Sequence, residues 1–293
     1  MKASYSEFVE LNGLRYHIRR WGNPEAPTLL MLHGWMDMSA TFQFVVDAFA
    51  HEWNIIAPDW PGFGLSAWDL GGYSLQQYCV HLERLLEYYS PHDPVRLVAH
   101  SMGANTANIY LAARPQRFSH YVNIEGYAPV PGFFEGTQGQ VAGRWLDHVK
   151  APQTGRPYAN HEDLAKRLTD SNRRLTPERA AFLAGELGMV GKDGLVRIAA
   201  DPAARFITPF SLHREQLMEL WRELKIPVLC VRGGKSFVTR AFDDCPEDLR
   251  ERIASLKHGQ EVLLPEGTHN LHHELPEQLA ALIEEFLGGV RPR

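Results

Sequence analysis

Apolar-rich runs recur along the chain and alternate with segments of helical periodicity. Runs without regular polar alternation are typical of strands that are buried on both faces of a parallel sheet. Before the first of them, Asn12-Gly13 separates two segments of alternating apolar and polar residues, which predicts a β-hairpin. The apolar-rich runs cover residues 28–32, 53–57, 95–99, 121–124, 227–231 and 261–264.

Helical patterns occupy the intervals between these runs. Ser74 and Gln77 have the spacing of a capping box, and apolar residues follow at helical intervals as far as Tyr89. Residues 102–113 and 277–287 also have helical patterns. Because strands and helices alternate, the sequence predicts an α/β fold with a mostly parallel sheet and helices on both of its faces.

One long segment interrupts the alternation. Residues 127–224 contain helical patterns but no run that predicts a strand. Within this segment, Thr176-Pro177 has the form of an N-cap followed by proline at the first helical position. We therefore expect residues 127–224 to form a helical cap, or lid, inserted into an α/β core of residues 1–126 and 225–293.

Composition narrows the class of protein. Of the 293 residues, 44% are hydrophobic and 22% charged, and the net charge of −5 includes no basic run that would favour a nucleic-acid partner. The cysteines Cys79, Cys230 and Cys245 have no CxxC spacing, which fits a reducing compartment. No apolar run reaches membrane-spanning length, and residues 1–13 lack signal-peptide features. These features predict a cytoplasmic protein without a nucleic-acid or membrane partner, and leave the oligomeric state open.

The main chemical motif follows the run at 95–99. Ala99-His100-Ser101-Met102-Gly103 places a serine between a predicted strand and a predicted helix, with small residues two positions away on either side. Such a turn strains the serine backbone and exposes its hydroxyl. We predict that Ser101 is a nucleophile; the alternative is a serine that only ends a strand and caps a helix. His100 should point away from Ser101 and is interpreted as a packing residue.

A serine nucleophile needs a neighbouring base, which in turn needs an orienting carboxylate. His269 follows the last apolar-rich run through a glycine-bearing turn, at the sheet edge where this class of fold places its site. His272 and His273 are close rivals, but both should lie in the helix that follows. His269 is therefore the predicted base.

The acid is less obvious. It commonly follows the strand at 228–231, yet the next residues, 232–236, include no carboxylate. Asp243 and Asp244 come later, and we expect them to be too far along the chain to lie in that turn. Glu125 directly follows the run at 121–124, so we favour it as the acid. A strand-end glutamate held only by backbone amides is the alternative.

Together these motifs resemble the α/β-hydrolase superfamily. The motifs are His33-Gly34, the turn Asp-Trp-Pro-Gly-Phe-Gly-Leu-Ser at 59–66, the Ser101 turn, and Gly267-Thr268-His269. The resemblance covers nearly the whole chain except the lid. It implies an eight-stranded sheet, a cap over the pocket, and Ser/acid/His catalysis that uses no metal and no cofactor.

Further features follow from this resemblance. In such a fold the backbone N–H groups of Met102 and Trp35 would form the oxyanion hole. Glu125 matches a variant placement of the acid within the superfamily. Residues 163–183 look like the serine-hydrolase-like branch.

Three functions remain open from the sequence. The first is hydrolysis of a small, apolar ester- or amide-like (or C–C) substrate through an acyl-Ser101 intermediate. The chain also resembles cofactor-free dioxygenases that cleave N-heteroaromatic rings, in which His269 would deprotonate the organic substrate. A non-catalytic ligand-binding module on a hydrolase scaffold is the third. Dehalogenases fit less well because they need an aspartate in place of Ser101.

Aromatic residues are the candidates for the substrate pocket. Trp35 is the aromatic residue that we place in the site with its indole against the pocket, and Tyr127 and Trp145 are further substrate-binding candidates. Each lid aromatic is, taken alone, better explained by packing of the lid onto the core. The other lid candidates are Phe133, Phe134, Phe182 and Phe210.

Overall fold

The computed structural model describes residues 1–132, 136–206 and 212–288. The candidates Phe133, Phe134 and Phe210 lie outside the described residues. None of the described helices combines the length and apolar character that crossing a membrane requires.

The described residues form ten strands, eight of which belong to one sheet. The strands are β1 Ser4–Leu11, β2 Leu14–Gly22, β3 Thr28–Leu32, β4 Asn54–Pro58, β5 Val95–His100, β6 Phe118–Ile124, β7 Gly188–Val190, β8 Val196–Ile198, β9 Val228–Gly233 and β10 Gly259–Leu264. The order in the eight-stranded sheet is β1-β2-β4-β3-β5-β6-β9-β10. β1 pairs with β2 and β2 with β4 in antiparallel fashion, and all other neighbours in this sheet are parallel. This architecture confirms the predicted α/β class.

Helices connect the strands and cover the sheet. Ser74 Oγ accepts a hydrogen bond from the N–H of Gln77, and Thr176 caps a helix that begins at Pro177, as the sequence predicts. The helices are α1 Gln43–Ala48, α2 Leu75–Tyr89, α3 Met102–Ala113, α4 Gln138–Lys150, α5 His161–Ser171, α6 Pro177–Leu187, α7 Arg214–Glu223, α8 Phe237–Ala241, α9 Pro246–Ser255, α10 Leu271–Glu274 and α11 Pro276–Phe286.

The central strands are buried on both faces, which explains their apolar-rich sequences. Leu30 and Leu32 of β3 join a core cluster with residues of α2, α3, α7 and α9. Leu29 and Met31 point the other way, into a second cluster with residues of α1 and α11. Successive side chains of a strand alternate between the two faces, so both sets must be apolar when both faces are covered.

The segment between β6 and β9 is more varied than its sequence suggests. Besides α4 to α7 it contains the hairpin of β7 and β8, whose strands of three residues each are too short to leave a recognisable pattern. Residues of α5 and α6 pack with each other and with the loop that follows β3. By contrast, α7 packs on α3 and α9 within the main core. The predicted cap boundary at residue 224 remains a prediction.

Candidate active site

Ser101 lies in a sharp turn between β5 and α3. Its backbone has φ 50° and ψ −112°, a region that residues with a Cβ rarely adopt. The turn is held at both sides: the N–H of Ser101 donates to Ile124 O at 2.8 Å, and its carbonyl accepts from the N–H of Asn105 at 2.9 Å. The strained conformation is therefore fixed by the neighbouring strand and by the first turn of the helix.

Glycine at 103 lets the start of α3 approach β3. A Cβ at Gly103 would lie 2.7 Å from the carbonyl oxygens of both His33 and Leu32, which is far inside van der Waals contact. The small residue two positions after Ser101 is thus required by the close passage of helix and strand.

His269 connects Ser101 to a carboxylate. Its Nε2 lies 2.9 Å from Ser101 Oγ, and its Nδ1 lies 2.9 Å from Glu125 Oε2. Because a carboxylate only accepts, Nδ1 carries the proton and Nε2 accepts from the Ser101 hydroxyl. The rivals His272 and His273 lie in α10, as the sequence suggests. We call Ser101, His269 and Glu125 the cavity triad.

Glu125 directly follows β6, beside the turn of Ser101. Its side chain is fully buried, whereas that of His269 is 22% exposed. Its backbone also has a positive φ, 60°, and its N–H donates to Val231 O at 3.0 Å. The carboxylate accepts the N–H of Gly233 at 2.6 Å through Oε1, and the Ser236 hydroxyl donates to Oε2. These donors stabilise the buried charge.

The end of β9 carries no carboxylate, and two of its positions have no room for any side chain. A Cβ at Gly233 or Gly234 would lie 2.4 Å from the carbonyl oxygen of Thr268 or Pro265, respectively. Ser236 instead points its hydroxyl at Glu125 and caps α8 through Val238 N. The sequence alone assigns no role to Ser236, because its contact with Glu125 joins residues that are 111 positions apart.

The later carboxylates do not join the triad. Asp243 and Asp244 are both exposed and lie beyond α8. An orienting acid must contact Nδ1 of His269, and Glu125 already makes that contact.

The predicted oxyanion donors flank Ser101. Met102 is the first residue of α3, so its N–H has no acceptor within the helix. Across the turn, a Cβ at Gly34 would lie 3.3 Å from Ser101 Cβ, so the loop carrying Trp35 passes directly against the serine. The next residue, Met36, has φ 58°. The loop is thereby bent around the Ser101 turn.

A cavity of about 220 Å³ opens at Ser101 and His269. One side is polar, and the other is built from leucines and an isoleucine of the segment between β6 and β9. It is lined by Trp35, Met36, Asp37, His100, Ser101, Leu168, Ser171, Asn172, Leu175, Leu183, Leu187, Ile198, Thr268, His269, Asn270 and His273.

The aromatic candidates divide between cavity and core. Trp35 lines the cavity, and its indole N–H donates to Ala204 O at 2.9 Å. Tyr127 does not line it: the side chain is fully buried, with its hydroxyl 3.3 Å from Glu261. Trp145, on α4, is also absent from the lining residues, and Phe182 packs edge-on against Phe44. For Tyr127 the structure thus gives a packing role.

Buried histidines surround the cavity triad. His100 packs against His269 and His272, with ring centroids 4.9 and 4.3 Å apart, and its Nε2 lies 2.9 Å from the carbonyl oxygen of His269. Burial lowers the pKa of His272 and of His273 to about 3, and holds the pKa of His100 well below its usual range. His100 is a packing residue, as expected, but it packs onto the loop of the base.

A second set of side chains has the connectivity of the cavity triad. His17 Nδ1 lies 2.7 Å from Asp59 Oδ2, and His17 Nε2 lies 2.8 Å from Ser6 Oγ. His17 and Asp59 are fully buried, whereas Ser6 is an exposed residue of the edge strand β1. We call Ser6, His17 and Asp59 the edge triad.

The chain is similar to known proteins along most of its length. A family model described as alpha/beta hydrolase fold matches residues 27–276. A probable serine hydrolase of Drosophila melanogaster is 28% identical, covering 91% of this chain and 82% of that protein. A serine hydrolase-like protein of Danio rerio is 26% identical over 98% of this chain and 90% of its own length. The solved thioesterase domain from the curacin biosynthetic pathway has a TM-score of 0.85 and 26% identity, covering 97% of this chain and 99% of that domain.

Proposed function

The chain belongs to the α/β-hydrolase family, and on that premise we propose that it is a serine hydrolase that works through an acyl-Ser101 intermediate. The observation that carries the proposal is the continuous hydrogen bonding from Glu125 through His269 to Ser101, at the wall of a cavity. A serine hydroxyl is a weak nucleophile unless a base takes its proton, and this arrangement provides the base.

The proposed reaction has two halves. Ser101 Oγ attacks the substrate carbonyl carbon while His269 Nε2 takes the hydroxyl proton, and the same proton then passes to the leaving group as its bond to the carbonyl carbon breaks. Water repeats the sequence in the second half and releases the acid. Glu125 holds His269 in the tautomer with the proton on Nδ1 and stabilises the imidazolium that forms in each half.

The oxyanion hole of this proposal consists of the backbone N–H groups of Met102 and Trp35. The position of Met102 at the start of α3 supports its role, because its N–H is free of any acceptor within the helix. The approach of Gly34 to Ser101 supports the role of the next residue, Trp35. Donors fixed in this way stabilise the negative charge that develops on the substrate oxygen.

The cavity supports a small apolar acyl group as the substrate. Its volume of about 220 Å³ lies below the range of about 300–1,000 Å³ that is usual for sites of drug-sized ligands. Leu168, Leu183 and Ile198 contribute its apolar side. The similarity to a thioesterase domain adds thioesters to the esters worth testing.

A fluorophosphonate probe tests the proposed nucleophile. We expect the wild-type protein to be labelled on Ser101 and Ser101→Ala to lose both labelling and esterase activity. Ser6→Ala is the matched control, since it removes the serine of the edge triad and should leave labelling unchanged. Peptide mapping of the modified residue distinguishes the two serines. Folded wild-type protein that resists the probe would contradict the proposal.

A panel of p-nitrophenyl esters from acetate to octanoate tests the substrate class. We expect kcat/KM to peak at a short acyl chain and to fall once the chain exceeds the cavity. An oxygen electrode with N-heteroaromatic substrates tests the dioxygenase alternative, and oxygen uptake that survives Ser101→Ala would favour it. Ligand binding without turnover of either kind would favour the non-catalytic module.

A further inference from the structure

We propose that Asp37, His100 and His272 bind a divalent transition-metal ion beside the Ser101 cavity. Each of the three residues offers a ligand atom, and these atoms lie within 4.8 Å of one another. All three residues are buried, and Asp37 and His100 line the cavity, which gives an ion a path to them. The site is separate from the atoms that react in the proposed hydrolysis, which needs no metal.

His100 presents an unused lone pair. Its Nε2 faces the carbonyl oxygen of His269, so Nε2 carries the proton and Nδ1 is the unprotonated nitrogen. Within the part of the chain that the structure describes, Nδ1 has no hydrogen-bond partner, although the residue is only 2% exposed. A buried acceptor without a donor is costly, and a cation would satisfy it.

His272 faces the carboxylate with its other ring nitrogen. Its Nε2 lies 3.2 Å from Asp37 Oδ2, so Nε2 is the atom that can share an ion with Asp37. Its Nδ1 is buried and has no partner among the described residues. His272 would therefore exchange its hydrogen bond to Asp37 for the ion and carry its proton on Nδ1.

The donor set indicates the kind of metal. Two imidazole nitrogens and one carboxylate oxygen suit zinc, copper, nickel or iron, whereas magnesium and calcium prefer oxygen ligands. Ligand atoms of a tetrahedral zinc site lie about 3.3 Å apart, given Zn–N distances of about 2.0–2.1 Å. The three side chains would therefore close by rotamer adjustment around the ion. The hydrogen bond from His100 Nε2 to a carbonyl is the support that metal-bound histidines usually have.

The consequence for activity rests on the proposed function. His100 is joined both to the ion and, through Nε2, to the backbone of His269, and its ring lies 4.9 Å from the ring of the base. Movement of His100 onto the ion would pull on this hydrogen bond and shift the loop that positions His269 beside Ser101. The bound ion should therefore slow acylation.

Isothermal titration with zinc chloride tests binding without any substrate. We expect about one zinc ion per chain for the wild type, weaker binding by at least about tenfold in His272→Gln, and no binding of magnesium. His258→Gln is the control for surface histidines, because His258 is exposed. Asp37→Asn provides a second variant, and circular dichroism identifies any variant that is unfolded.

The fluorophosphonate rate tests the coupling. Zinc should slow labelling of Ser101 in the wild type and in His258→Gln but not in His272→Gln. The proposed site is wrong if zinc binds equally tightly to the wild type, His272→Gln and Asp37→Asn. It is also wrong if zinc does not bind to the wild type. If zinc binds through His272 but the metal-free protein is never labelled, the proposed hydrolase function fails and the site stands. If zinc binds to the wild type but does not change its labelling rate, the proposed coupling is wrong.

Discussion

The cavity triad and the edge triad join the same kinds of atoms in the same order. In both, a buried carboxylate contacts a histidine Nδ1, and the Nε2 of that histidine contacts a serine hydroxyl. What differs is the setting of the serine. Ser101 has a strained backbone at the start of a helix, whereas Ser6 belongs to the regular ladder of β1 with β2.

The surroundings also differ in what they offer to a substrate. Ser101 lines a cavity and adjoins free N–H groups at the start of α3, whereas Ser6 is exposed on an edge strand and lines no cavity described in this structure. Asp59 instead fixes the fold, since it accepts the N–H groups of Ser39 and Leu65 besides the His17 contact. We therefore expect a reactive serine at position 101 and not at position 6, because hydrogen-bond connectivity alone supplies neither a strained turn nor oxyanion donors nor a cavity.

The largest expected effect distinguishes the Glu125 carboxylate from the Asp59 carboxylate. Glu125→Gln should lower kcat by about 10³-fold or more, because an amide no longer fixes the proton on Nδ1 of His269 or stabilises the imidazolium. Asp59→Asn should leave kcat per folded molecule nearly unchanged and lower the unfolding free energy by about 3 kcal/mol, as expected when a buried pair loses one partner. Steady-state kinetics and urea unfolding measure the two quantities.

The opposite pattern would remove the distinction between the triads. If Asp59→Asn abolishes turnover in a protein that is still folded, or Glu125→Gln only destabilises, the roles are reversed. Asp243→Asn serves as the control, and we expect it to be silent because Asp243 is exposed beyond α8.

A smaller effect is expected at Ser236. Among the described residues, no side-chain hydroxyl donates to the Asp59 carboxylate in the way that Ser236 donates to Glu125. Ser236→Ala removes a hydroxyl that donates to Glu125 Oε2, the oxygen that also contacts His269 Nδ1. The same change removes the N-cap of α8. We expect kcat to fall about tenfold and stability by about 1 kcal/mol. Ser236→Thr should restore most of kcat, since it keeps the donor. Unchanged kinetics in the alanine variant would mean that Gly233 N–H alone suffices to hold the carboxylate.

The smallest expected effect is a pH dependence of stability carried by Asp59. Burial alone would raise the pKa of this carboxyl, but the hydrogen bond and charge of His17, with contributions from His33 and Leu65, hold it below its usual value. A carboxyl with a lowered pKa in the folded state stabilises above its unfolded pKa of about 4 and loses that contribution as the pH falls. The difference in unfolding free energy between wild type and Asp59→Asn should therefore shrink between pH 5 and pH 3. A constant difference would contradict this assignment.

Local sequence was sufficient to predict much of the candidate site. The Ser101 turn could be predicted because Gly103 and the flanking elements are all within a few residues of the serine. The contact between Ser236 and Glu125 joins positions 111 residues apart, so no local pattern reveals it. The same is true of the cluster of Asp37, His100 and His272, which comes from three different parts of the chain.

The sequence by itself determined the α/β class and the eight strands of the sheet. Burial on both faces imposes apolar-rich runs on the central strands, Asn12-Gly13 marks the hairpin of the first two, and capping residues mark helices. Only the tertiary structure decided which charged and polar side chains meet. The register of β6 against β9 brings the Glu125 carboxylate to the end of a strand whose own turn carries none. Strand order and register are set by packing of the whole core, and the contacts at the strand ends follow from them.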